Sequence, residues 1–133
     1  MLRKIPVKKI LGNIVYHRNF YSSLLKNGRD IFVWSAETLS VNSEKKYSVL
    51  YMHDGQNLVD PKTSFAGYDW RIDEIIVSLI KQKKMENIIV VGINNTNDRL
   101  DEYSNSAKGE LYLRFFIEEL KPFIDKNYPT LPE

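Results

Sequence analysis

The chain has 133 residues, 43% hydrophobic and 27% charged, with a net charge of +2 from 19 basic and 17 acidic residues. That suits one domain with a core, and it excludes a disordered chain and a strongly basic nucleic-acid surface. Cysteine is absent, which excludes disulfides, thiolate nucleophiles and thiolate metal sites.

No apolar run approaches the ~18 residues that a membrane span needs. The N-terminus carries Arg3, Lys4, Lys8 and Lys9, but no apolar stretch follows them as in a signal peptide. These residues read as a solvated start. Neither a membrane nor a nucleic acid is an expected partner, and a cytoplasmic protein is the expectation.

The first element is "GNIVYHRNFYSSLL", which alternates loosely and ends at "KNGRD". Asn27-Gly28 predicts a type I′ turn, whose two central residues need positive φ. "RDIFVWSAE" follows as the partner strand, so residues 12–37 read as a β-hairpin. "SVLYMH" (48–53) and "NIIVVGIN" (87–94) are nearly continuous apolar runs, as in strands buried on both faces of a parallel sheet.

Between them, Ile72, Ile75, Ile76, Leu79 and Ile80 form one helical stripe. Asp69 suits the N-cap, Asp73 and Glu74 read as an ordinary acidic first turn, and Lys81, Lys83 and Lys84 match the C-terminal dipole. Strand, helix, strand predicts a right-handed crossover. "GELYLRFFIEELKPFIDKNY" is a second helix, with Leu113, Phe116, Ile117, Leu120 and Phe123 or Ile124 on its apolar face. Pro122 should kink or divide it, because proline lacks an N–H and crowds the preceding turn.

The fold class is therefore α/β, an antiparallel hairpin followed by a βαβα unit. That is the first half of an α/β sheet. A third parallel strand is expected after residue 133, bordering "NIIVVGIN", whose edge would otherwise be unpaired. Ligands of such sheets bind beyond the carboxyl ends of the strands. The loops there, "HDGQNLVDPKTSFAGYDW" and "NNTNDRLDEYSNSAKG", far exceed the usual ~2 to 6 residues, which points to function.

"YSVLYMHDGQNLVD", "SFAGYDWRIDE", "IIVVGINN", "RLDEYS" and "FFIEELKPFIDKNYPTLPE" together resemble the esterase family of α/β-hydrolases that includes enterochelin, feruloyl and S-formylglutathione esterases. The likeness runs in order over about residues 12–133. It implies acyl-ester hydrolysis through a serine acyl-enzyme, with no cofactor. It also implies that the Gln56 backbone N–H forms part of an oxyanion hole, with Gly55 allowing close approach. Asn57, Asp69, Trp70, Arg99 and Tyr103 fall in segments that border the family's substrate pocket.

One part of the pattern is missing. The family's nucleophile is a serine in a Gly-x-Ser-x-Gly elbow. None of the six glycines (12, 28, 55, 67, 92 and 109) lies two residues from a serine, and both histidines, His17 and His53, precede the position where that serine would come. The expectation is a domain over 1–133 that ends before the elbow and is inactive alone. An acyl ester would be its substrate once completed. A complementing chain or self-association would cover the free sheet edge. A split esterase or a non-enzymatic binding module are the alternatives.

The remaining polar residues have plainer readings. His53 reads as a structural histidine bonded to nearby backbone, and His17 as a surface strand residue. Asp54 reads as a turn former bonding backbone amides. Arg99 reads as a loop-fixing ion pair with Asp101 or Glu102, and Trp70 as packing at the start of the helix. Asp98, Asp101 and Glu102 lack metal-ligand spacing, so no metal is expected. No phosphate-cradling glycine loop is present, so no nucleotide is expected either.

Overall fold

The computed structural model describes residues 7–131. Arg3, Lys4 and the chain end at Glu133 lie outside the described residues. Strands β1 (Asn13–Ser22) and β2 (Asn27–Ser35) form the expected antiparallel hairpin. Its turn lies elsewhere. Ser22 pairs with Asn27 and Tyr21 with Gly28, so Asn27-Gly28 opens β2 and residues 23–26 make the turn. Lys26, at φ 56°, donates its N–H to the Ser22 carbonyl at 2.8 Å. Tertiary contacts override the local preference. Glu119 accepts from the Ser22 hydroxyl at 2.6 Å and the Ser23 N–H at 2.9 Å, while Asn27 turns its side-chain oxygen to Arg29 at 3.2 Å.

Strands β3 (Val49–His53) and β4 (Ile89–Ile93) are parallel and joined through helix α1 (Ile72–Lys81). The sheet order is β1-β2-β4-β3. β4 is therefore central, antiparallel to β2 and parallel to β3, and it does not carry the free edge expected for it. All five of its residues are buried, whereas β3 at the edge is partly exposed, with Leu50 at 44%. Just before β3, Tyr47 pairs in parallel with Thr130. The Tyr47 N–H donates to Pro129 O at 2.8 Å, and the Leu131 N–H to Tyr47 O at 2.9 Å.

Period-2 alternation splits the core into two layers. Ile31, Val33, Ile89, Val91 and Ile93 face Tyr112, Phe115, Leu120 and Ile124. Phe32, Trp34 and Val90 face Leu58, Val59 and Ile76. Each such aliphatic side chain, fully buried, contributes about 1.5–3 kcal/mol.

Helix α1 is not capped by Asp69. Arg71 holds the N-cap position at φ 60°. Asp69 instead accepts the Arg71 N–H at 3.0 Å and the Lys8 ammonium at 2.7 Å. Asp73 is fully buried, accepting from Lys8 at 2.8 Å and the Leu11 N–H at 2.9 Å. The acidic first turn thus anchors the N-terminal segment, and Lys8 is ion-paired rather than a solvated start. Two further departures concern a short helix α2 (Arg99–Glu102), not read from the sequence, and His17, which is half-buried with Nε2 2.6 Å from the Tyr128 hydroxyl.

The second long helix is divided, as Pro122 requires. It comprises α3 (Ala107–Arg114), a π-helical turn (Phe115–Leu120) and α4 (Lys121–Asn127). The Lys121 N–H reaches back to Phe116 O, five residues earlier, immediately before the proline that has no N–H to offer. That wider turn shifts the apolar register. The buried stripe is Tyr112, Phe115, Leu120 and Ile124, while Leu113 and Ile117 face outward. Among the described residues, no helix is long and apolar enough to cross a membrane.

Candidate functional site

Chain order and sheet twist bring the carboxyl ends of β3 and β4 side by side, and their two loops meet there. The first begins with Asp54 at φ 55°, followed by a 3₁₀ turn (Gly55–Asn57) closed by the Asn57 N–H on Asp54 O at 2.9 Å. Gly55 is needed at this place. A Cβ would lie 2.8 Å from Gly92 C and Ile93 N, backbone atoms of β4 that cannot swing aside. The Gln56 N–H has no hydrogen-bond partner among the described residues, as befits the first turn of a helix.

The rest of Gln56 and Asn57 is tied down. Gln56 O accepts from the Thr63 and Ser64 hydroxyls at 2.6 and 3.3 Å. Its side-chain Oε1 accepts the Asn95 N–H at 3.2 Å. Asn57 holds the long loop at two points, through Oδ1 on the Phe65 N–H and through its carbonyl on the Trp70 N–H, both at 2.8 Å.

Asp54 and Arg99 differ from their sequence readings. Arg99 pairs with neither Asp101 nor Glu102. Its Nε and Nη2 donate to the two Asp54 carboxylate oxygens, each at 3.0 Å. Asp54 also accepts from Asn95 Nδ2 at 2.8 Å and the Tyr103 hydroxyl at 3.3 Å. Its side chain therefore grips the second loop rather than the amides of its own turn. The Arg99 hydrogen bonds hold its carboxyl below the ordinary 3.8 against an opposing effect of burial, so it is ionised at neutral pH.

Glu102 turns to the opposite side of α2. It receives Arg29 Nη1 at 3.0 Å and Nη2 at 2.5 Å, with both side chains almost fully buried. Sequence reasoning missed this pair; the available signal was an arginine opening an apolar strand, which needs a partner. His53 is held by a side chain, not by backbone: its Nδ1 lies 2.8 Å from the Tyr112 hydroxyl. Burial lowers its pKa below 6.5, so it is neutral at pH 7.

A cleft of about 410 Å³ is lined by Asp54, Gln56, Asn57, Phe65, Asn95 and Arg99. Of the expected site residues, Gln56, Asn57 and Arg99 come together here. Gly55 lines a smaller recess beside it, with Tyr16 and Thr63. Tyr103 lines a separate cleft of about 330 Å³ with His53 and Tyr112. Asp69 and Trp70 line none of these three. Asp54, Phe65 and Asn95 complete the lining, and the sequence carries no signal that places them there. Among the described residues no cluster of metal-ligating side chains exists.

A hairpin leading into a parallel pair with a crossover helix, and a glycine-led turn at the ligand end, define an α/β-hydrolase architecture. The family described as "Putative esterase" matches residues 32–133, most of the chain, and the chain belongs to that family. Among solved structures, a ferulic acid esterase is 26% identical with a TM-score of 0.64, the match covering 92% of this chain and 46% of that one. The BES protein from Bacillus cereus shares the fold at 18% identity and TM-score 0.64, covering 98% and 51%. The ferric enterobactin esterase from Salmonella typhimurium does so at 17% and 0.64, covering 93% and 28%. The chain spans about half the length of the ferulic acid esterase. No curated protein matches.

Proposed function

We propose that these residues form the N-terminal part of a serine esterase that hydrolyses acyl esters, and that they are inactive without the part carrying the serine. The observation that carries this reading is the Gly55–Asn57 turn. It presents an unbonded Gln56 N–H at the carboxyl end of β3, in a residue that lines the 410 Å³ cleft. In the completed enzyme that N–H donates to the acyl oxygen as negative charge develops. One such donor is worth about 3 kcal/mol of transition-state stabilisation. Asn57, Phe65 and Asn95 border the acyl or alcohol group.

The parallel pairing of Tyr47 with Thr130 supports the place of the missing part. A segment continuing from Leu131 in that register runs along the outer edge of β3 and brings a following serine elbow towards the Gln56 turn. The test is an assay of the 133-residue chain with p-nitrophenyl acetate and a fluorophosphonate probe. No turnover and no labelling is the expected result; a labelled serine in this chain refutes the reading. A longer or paired polypeptide that contains the chain should hydrolyse the ester and lose that activity to the probe.

A further inference from the structure

We propose that Asp54 and Arg99 form a charge-neutral clamp that fixes the Gln56 turn for the acyl oxygen, and that both are positioning residues rather than substrate ligands. The inference rests on the esterase reading above. Arg99 lies in the cleft, where a free guanidinium would suit an anionic substrate group. Its Nε and Nη2 are instead committed in fork geometry to Asp54, each at 3.0 Å.

The clamp joins the two loops that make the site. Asp54 begins the 3₁₀ turn in a left-handed conformation uncommon for a non-glycine residue. Its carboxylate holds Asn95, whose N–H in turn meets Gln56 Oε1 at 3.2 Å. Arg99 stands on α2, which is pinned from the other side by the buried Glu102–Arg29 pair. The turn is thus referenced through α2 to β2 as well as through Gly55 to β4. A displacement of about 1 Å at such a position can cost ~100-fold in rate.

Electrostatics gives the clamp a second duty. Asp54 is two residues from Gln56 and lines the same cleft. An unpaired carboxylate there would oppose the negative charge that develops on the acyl oxygen. Arg99 cancels that charge without offering a cation to the substrate. The two variants therefore have unequal consequences. Arg99→Ala loosens the turn and exposes a carboxylate, and Asp54→Asn added to it removes the repulsion.

The experiment has two arms. In the 133-residue chain, amide hydrogen exchange should quicken at least tenfold at Asn57 and Asn95 in Arg99→Ala, with the β4 amide of Val91 within twofold. Unchanged exchange at Asn57 and Asn95 overturns the clamp. In the complete esterase, Arg99→Ala should lower kcat about 100-fold with KM within threefold, and the double variant with Asp54→Asn should recover at least tenfold in kcat. A rise in KM at constant kcat would make Arg99 a substrate ligand and overturn the proposal, as would a double variant no better than the single. Arg114→Ala, in an exposed pair with Glu118, should change nothing. A wild-type enzyme without ester hydrolysis overturns the esterase reading and the catalytic half of this proposal. The exchange arm still decides whether the clamp exists.

Discussion

Replacing Glu102 by alanine should be among the most damaging single changes in this chain. The Glu102 carboxylate accepts from Arg29 Nη1 and Nη2, from the Thr96 hydroxyl at 3.1 Å and from Asn27 Nδ2 at 3.5 Å. The side-chain exposure of Arg29 is 1% and that of Glu102 is 0%. Without the carboxylate, the guanidinium stays buried with only the Asn27 and Asn94 oxygens, at 3.2 and 3.5 Å, and the faces of Tyr112 and Phe115. Breaking one side of a buried pair costs about 3–5 kcal/mol. With a urea m-value of ~1–3 kcal/mol/M, the unfolding midpoint falls by about 2 M at unchanged m. Replacing both partners, by Arg29→Met with Glu102→Leu, should recover most of that loss, because no charge remains buried. The pH dependence has a definite sign. Burial pushes the Glu102 carboxyl up, but the Arg29 hydrogen bond and charge outweigh it, and the folded value lies below the ordinary 4.5. A depressed carboxylate contributes stability that is fully present above pH 4.5 and is lost as pH falls through the folded value. The gap between wild type and Glu102→Ala should narrow below that pH. A variant that loses less than ~1 kcal/mol at pH 7 would falsify the view that this pair is desolvated.

Two further outcomes are expected. Gly55→Ala should destabilise the chain by about 1–3 kcal/mol, because its Cβ meets the Gly92 and Ile93 backbone at 2.8 Å; a urea midpoint equal to wild type refutes the close approach. The outer edge of β3, where Leu50 is 44% exposed, should make the isolated chain self-associate at micromolar concentration, and Leu50→Lys should weaken this. A monomer by sedimentation velocity, in wild type as in the variant, counts against that edge being sticky.

Patterns that depend on burial were legible in the sequence. The runs around Val49–His53 and Ile89–Ile93 announce strands, and Ile72, Ile76 and Ile80 announce a helix, because burial against the sheet sets the apolar pattern of each. Where a local preference met a tertiary competitor, the preference lost. Asn27-Gly28 offers a tight turn, but Glu119 gathers the amides of residues 23 and 24, and the turn falls at residues 23–26, ahead of that pair. Asp69 offered a cap, but Lys8 lies 2.7 Å away. Regular helical spacing predicts the stripe of the last helix, and a π-turn ahead of Pro122 moves its first half by one residue.

The site divides along the same line. Its backbone component, Gly55 against β4 and a turn that leaves the Gln56 N–H unbonded, falls where the family resemblance directs attention. Its side-chain component does not. Asp54 and Arg99 are 45 residues apart, and Arg29 and Glu102 are 73 apart. Nothing in the spacing tells Arg99 to choose Asp54 over Asp101. That choice is made by the sheet order. With β4 between β2 and β3, the loop after β4 has Arg29 on one flank and Asp54 on the other. The one-turn helix Arg99–Glu102 can then reach both, with the arginine towards the acid and the acid towards the arginine. Had β4 been the edge strand, as its position in the chain suggested, only one flank would have a partner. The other charge would have been left to solvent, and the loop would have been held from one side only.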